Sequence, residues 1–170
     1  MVASIIFILF PFAMIYAALS DVLTMTIANR VSLLLIGGFI VVAPFIGITW
    51  TDFMWHLAAF GLVLSITFAL FALGTMGGGD AKLMASTSIW IGFNVHLLDY
   101  VLMFTIAGGA LTLLLVLMRN SSMATYAGQW PALWRVIDEK DVPYGVALAF
   151  GGLMVFPDTV AMQWAIAQFL

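Results

Sequence analysis

The 170-residue sequence contains no cysteine, so neither a disulfide nor a thiolate metal site is open to it. Charge is nearly as scarce. Lys, Arg, Asp and Glu together make up 8% of the chain, where a soluble domain carries about 25%. The net charge of −3 and the lack of any basic cluster remove the electrostatic footprint that nucleic acid requires. No internal repeat and no low-complexity linker divide the chain, so residues 1–170 read as a single domain. No basic region precedes the apolar stretch that starts at Val2, so that stretch reads as a retained span and not as a cleaved signal.

What fills the chain is apolar: 65% of the residues are hydrophobic, with a mean hydropathy of +1.19. A folded protein in water needs polar groups over its exterior, and this composition cannot supply them. Lipid is the expected solvent and the expected partner surface. Backbone polar groups in lipid must be satisfied within the segment, which favours helices. The expected fold class is therefore all-α, a polytopic membrane protein. About 20 apolar residues span a bilayer core of about 30 Å. Six stretches meet or approach that length: about Val2–Leu19 with a kink at Pro11, Val31–Ile48 interrupted at Pro44, Phe53–Leu73, Ala81–Leu98, Tyr100–Met118, and a sixth from Pro143 to Phe156 or onward to Phe169.

The connections segregate charge. Arg30, Lys82, Arg119, Arg135 and Lys140 fall on one side of a six-span arrangement, and Asp52, Asp99 and Asp158 fall on the other. Basic residues concentrate in cytoplasmic loops, which predicts an N-terminus outside. Residues 119–141 form the longest polar stretch. With Tyr126, Trp130, Trp134 and a short amphipathic segment from Pro131 to Ile137, it is expected to lie on the cytoplasmic membrane surface. Trp50 and Trp55 are expected at the outer interface.

Two carboxylates stand apart from the loop acids. Asp21 closes the first span in Ala17-Ala18-Leu19-Ser20-Asp21, and Asp80 follows Gly77-Gly78-Gly79 before the fourth. The topology puts both at the cytoplasmic ends of their helices. Acids drawn into a bilayer are costly and are functional candidates by default. Two adjacent carboxyls resist double ionisation and hold one proton between them. The ionised member can deprotonate a water while the protonated member donates to a scissile carbonyl and then to the leaving amine. That chemistry needs no metal or other cofactor. The glycines would let the chain turn with little bulk, so that an extended substrate could lie against the backbone beside Asp80. The plain alternatives are a flexible turn with a solvated aspartate and, for Asp21, an acid just outside a helix end.

Gly77-Gly78-Gly79-Asp80-Ala81-Lys82-Leu83 resembles the Gly-x-Gly-Asp motif of the type IV prepilin peptidases, with its following Lys-Leu. Ser20–Arg30 resembles the segment after the first helix of that family, and Val142–Ala147 the segment that opens its last helix. The resemblance implies the Gly-x-Gly-Asp aspartic protease architecture, with Asp21 and Asp80 as the catalytic pair. The substrate would be a prepilin, entering as a membrane helix with its leader on the cytoplasmic side of a bacterial inner membrane. The short chain is similar to the branch that serves Flp, or tight-adherence, pili, and the resemblance suggests cleavage after a glycine. Larger relatives carry an insertion with paired cysteines and methylate the new N-terminus; here that activity is not expected. The sequence departs from the family at Ala28, where proline is usual, and at Thr24–Thr26, where relatives are often basic.

Other residues carry weaker expectations. Lys82 would influence Asp80 or snorkel to the interface, with snorkelling favoured. Asn29 and Arg30 are candidates for substrate contact. His56 and His96 are expected as outer-side anchors and not as metal ligands. Gly61-x-x-x-Ser65 and Gly145-x-x-x-Ala149 suit close helix packing. The same two acids would also serve as a relay in a small proton-coupled transporter, although transport sites favour the midplane and internal repeats. A non-catalytic assembly subunit is the third reading. Signal-peptide-peptidase-like proteases fit less well, because no tyrosine adjoins Asp21.

Overall fold

The structure is a computed structural model that describes residues 1–119 and 142–169. All of its elements are helical: α1 Val2–Thr24, α2 Asn29–Val42, α3 Trp50–Ala72, α4 Gly78–Ile91, α5 Val95–Arg119, α6 Tyr144–Val155 and α7 Val160–Ala167. Short 3-10 turns at Ala43–Phe45 and Phe156–Asp158 extend α2 and join α6 to α7. The expected surface segment with Tyr126, Trp130 and Trp134 lies outside the described residues.

Three helices, α1, α3 and α5, are long and apolar enough to cross a bilayer on length and composition. The α6–α7 pair, bent by 50° between Asp158 and Val160, makes a fourth if counted as one span. The helices α2 and α4 have 14 residues each, about 21 Å of rise against a core of about 30 Å. The apolar stretch expected from Ala81 to Leu98 is in fact two elements. It breaks at Gly92, which takes φ +82. Asn94 Oδ1 then accepts the His96 N–H at 2.8 Å and opens α5. By contrast, α1 runs through Pro11 unbroken and continues past Leu19 to Thr24, so Asp21 lies inside its last turns.

The short helix α4 is the hub. It packs against α3, α2 and α6, while α6 is held between α1 and α5. Its second half is buried throughout, from Ala85 to Ile91. The hydroxyls of Ser86, Thr87 and Ser88 return to backbone carbonyls within the helix, so a polar run can be buried there without orphaned groups. Trp90 anchors the centre. Its Nε1–H donates to Leu35 O at 2.8 Å, and its ring meets Phe10, Phe39 and Phe156. Large apolar side chains such as Ile8, Leu33, Phe68, Leu102 and Ile106 face outward, as a lipid-facing surface requires.

Two expectations about packing are corrected. His56 is not an interface anchor: it is 4% exposed, and its Nδ1 is 2.7 Å from Ile89 O, so it ties α3 to α4. Its ring fills the space a side chain would need at Gly92. Gly61-x-x-x-Ser65 is not a packing seam either. Nothing lies within 4 Å of a Cβ placed at Gly61, and Ser65 Oγ returns to Gly61 O of its own helix. The other small-residue helix, α6, does pack closely, with Gly151 against the Phe104 backbone and Gly152 against Met14.

Candidate active site

Asp21 is 6% exposed. Its Oδ2 accepts the Gly145 N–H at 2.7 Å, joining positions 124 residues apart. Gly145 is the second residue of α6, after the N-cap Pro143. Its N–H is one of the helix-start donors that have no partner within the helix. Asp21 therefore caps α6 from across the bundle, with its carboxylate at the positive end of that helix. Only glycine fits at 145, because an added Cβ would stand 2.8 Å from Asp21 Oδ2 and 2.9 Å from Asp21 Cβ.

Asp80 is the third residue of α4, whose N-cap is Gly77. Each glycine of the run makes room for one neighbour. A Cβ at Gly77 would lie 2.9 Å from Asp80 Oδ2, one at Gly78 3.1 Å from the Phe71 ring, and one at Gly79 3.3 Å from the Ile27 backbone nitrogen. The expected turn is made elsewhere. Gly77 has φ −68 and ψ 141, and the left-handed residue is Gly74 at φ +73. The glycine run serves close approach and not chain reversal.

Both acids line one cleft of about 530 Å³. Its sides are Met25 at the end of α1, Phe104 of α5, and Tyr144 and Leu148 of α6. The backbone from Gly74 to Gly77 forms the remaining edge. Met25 holds a left-handed conformation, φ 52 and ψ 29, unusual for a residue with a side chain. Hydroxyls brace the turn around it: Ser20 Oγ donates to Thr26 O at 2.8 Å and Thr24 Oγ1 to Ser20 O at 2.7 Å. Thr24 Oγ1 also lies 2.8 Å from Thr26 Oγ1, so the two threonine hydroxyls fasten the α1–α2 connection, which spans only Met25 to Ala28.

Lys82 and Asn29 are not part of this cleft. Lys82 Nζ donates to Asn29 Oδ1 at 3.0 Å, and the two line a separate groove. Sequence reasoning did not find the cleft walls or the role of Gly145. The signal for Gly145 was present in the resemblance of Val142–Ala147 to the opening of the family's last helix, but spacing along the chain could not connect it to Asp21. Among the described residues no group of three or more His, Asp or Glu side chains converges as a metal site would require.

A family model for the type IV leader peptidase family matches residues 8–118, more than half of the chain and inclusive of Asp21 and Asp80. The chain belongs to the type IV leader peptidase family. It is accordingly a leader-peptidase-like protease of the membrane, with prepilin-type substrates. No curated protein and no solved structure matches it.

Proposed function

We propose that this leader peptidase is an aspartic endopeptidase in which Asp21 and Asp80 form the catalytic pair. The observation that carries the reading is the shared cleft: residues 59 positions apart, on different helices, present their carboxyls to one space. A water between them loses a proton to the ionised carboxylate as its oxygen attacks the scissile carbonyl. The protonated carboxyl hydrogen-bonds that carbonyl oxygen as negative charge develops on it. Collapse of the tetrahedral intermediate breaks the C–N bond, and the proton taken from water passes to the leaving amine. The acids titrate as a pair, so each role belongs to the dyad. The interleaved apolar walls, Met25, Phe104, Tyr144 and Leu148, suit a substrate segment at the border of a membrane helix.

The finer reading follows the same line. The substrate is a Flp-type prepilin, cleaved after a glycine at the cytoplasmic face of a bacterial inner membrane. The chain crosses that membrane six times with its N-terminus outside, α2 and α4 counted as short spans inside the bundle. Leader removal is the only activity proposed, since the sequence carries neither the cysteines nor the insertion that the resemblance associates with methylating relatives. A proton-coupled transporter is not favoured by the family to which the chain belongs.

The test is leader removal from a co-expressed prepilin by Asp21→Asn and Asp80→Asn. Both amides keep the carboxyl's shape, and the amide introduced by Asp21→Asn still offers an oxygen to Gly145. Each variant should accumulate to wild-type levels in the membrane and leave the prepilin uncut. Full processing by either would remove the dyad.

A further inference from the structure

Tyr144, the first residue of α6, lines the cleft that holds both acids. It directly precedes Gly145, whose N–H seats Asp21. The neighbouring backbone donors are satisfied close by. Tyr144 N–H donates to Val142 O at 2.8 Å and Val146 N–H to Pro143 O at 3.2 Å. Of these three, the Gly145 N–H alone reaches another helix. Any shift of the start of α6 against α1 is therefore felt at Asp21.

The Tyr144 side chain is held by α5. A Cβ at Gly108 would stand 3.0 Å from Tyr144 Cε1, 3.3 Å from its Cδ1 and 3.6 Å from the Ala147 Cβ. Gly108 is buried, so its missing side chain leaves a notch that the ring occupies. Thr112 lies one turn further along the same face of α5, with its Oγ1 3.3 Å from the Tyr144 hydroxyl. The direction of that bond follows from the donors at hand. Thr112 Oγ1 donates its one proton to Gly108 O at 2.7 Å, so the Tyr144 O–H donates and Thr112 Oγ1 accepts. Position 144 is thus tied to α5 at ring and hydroxyl, and position 145 is tied to α1 by its N–H.

We propose that Gly108 and Thr112 of α5 are positioning residues for the dyad. They fix the Tyr144 ring, the ring fixes the start of α6, and the Gly145 N–H then holds Asp21 in the cleft. Neither residue lines the cleft itself. The proposal rests on the reading of Asp21 as half of the catalytic pair. Comfortable contact needs about 3.5 Å, so Gly108→Ala displaces the ring by roughly 0.5 Å. A misplacement of 1 Å costs about 10²-fold in rate, so half of that costs about tenfold.

The experiment measures kcat and KM for leader removal from a purified prepilin by the full chain in detergent, with thermal unfolding of the same preparations. Gly108→Ala should lower kcat by about tenfold and leave KM within about twofold of the wild type. Thr112→Val removes the acceptor and should lower kcat by about threefold, while Thr112→Ser, which keeps the hydroxyl, should match the wild type. Gly108→Ala combined with Gly145→Ala should lose less than the product of the two single losses, because both displace one seat. Thr105→Val is the control on α5, since that hydroxyl returns to Val101 O on an exposed face, and it should cleave as the wild type does. Should Gly108→Ala not accumulate, the two Thr112 variants decide. Wild-type kcat per folded molecule in Gly108→Ala and Thr112→Val would overturn the proposal and leave the dyad standing, provided Asp21→Asn is inactive. A loss confined to KM would also overturn it, because Tyr144 would then act only as a wall for substrate. Cleavage by Asp21→Asn would instead remove the dyad, and the proposal with it.

Discussion

Gly145→Ala is the sharpest probe of how the site is built, because it alters no carboxyl and adds one methyl group. That methyl would stand 2.8 Å from Asp21 Oδ2, 2.9 Å from its Cβ and 3.0 Å from its Cγ. Comfortable contact needs about 3.5 Å or more, so Asp21 and the start of α6 must separate by roughly 0.7 Å. The carboxylate cannot yield by rotation alone, since its own Cβ is among the crowded atoms. The separation stretches the 2.7 Å bond from Gly145 N–H. Overpacking of a buried site costs about 1–3 kcal/mol, and a hydrogen bond to a charged group contributes about 1.5–3 kcal/mol. With partial relaxation the stability loss should be about 1–3 kcal/mol, so the chain still folds. Misplacement of a catalytic group by nearly 1 Å costs about 10²-fold in rate, so prepilin cleavage should fall by about that factor. Gly109→Ala is the matched control, because nothing lies within 4 Å of its added methyl. It should cleave at the wild-type rate. The assay is the rate of leader removal in detergent, with thermal unfolding of the same preparations. Wild-type cleavage by Gly145→Ala would refute the claim that α6 seats Asp21.

Two further substitutions separate the cleft from the distant end of the bundle. Gly77→Ala places a methyl 2.9 Å from Asp80 Oδ2. Only the tip of a flexible side chain must move, so cleavage should drop by about tenfold, a barrier increase of about 1.4 kcal/mol, with little loss of stability. Gly92→Ala combines φ +82 with a methyl 2.8 Å from the His56 ring. It should destabilise the protein by about 2–3 kcal/mol, read by thermal unfolding. Cleavage per folded molecule should hold, because Gly92 lies about 18 Å along α4 from Asp80.

The sequence made the helices legible wherever apolar length and turn chemistry agreed. The long helices α1, α3 and α5 fall on the expected apolar stretches, and Pro44 and Pro157 mark the breaks after α2 and α6. The Ala81–Leu98 stretch was misread because Gly92 and Asn94 looked like interior residues of one span. The first in fact supplies a left-handed break, and the second supplies the oxygen that opens the next helix. His56 was misread because a histidine near an apolar end is indistinguishable by sequence from one that reaches across to Ile89 O. The two acids were legible as unusual residues at matching depths. Their seating was not. Gly145 looked like a packing glycine, and its second role depends on a contact with Asp21 across 124 residues. Lys82 and Asn29 sit beside motif residues in sequence, yet helical geometry turns them to another face.

The account rests on Asp21 and Asp80 meeting in one cleft, and the cysteine-free chain allows that to be measured directly in membranes. A variant carrying Asp21→Cys and Asp80→Cys would be treated with a short bis-maleimide, then cut by a protease within the segment between α3 and α4 and resolved by electrophoresis. The account predicts that the two fragments stay joined by the reagent. Separation of the fragments, with each thiol reacting on its own with a mono-maleimide, would contradict it.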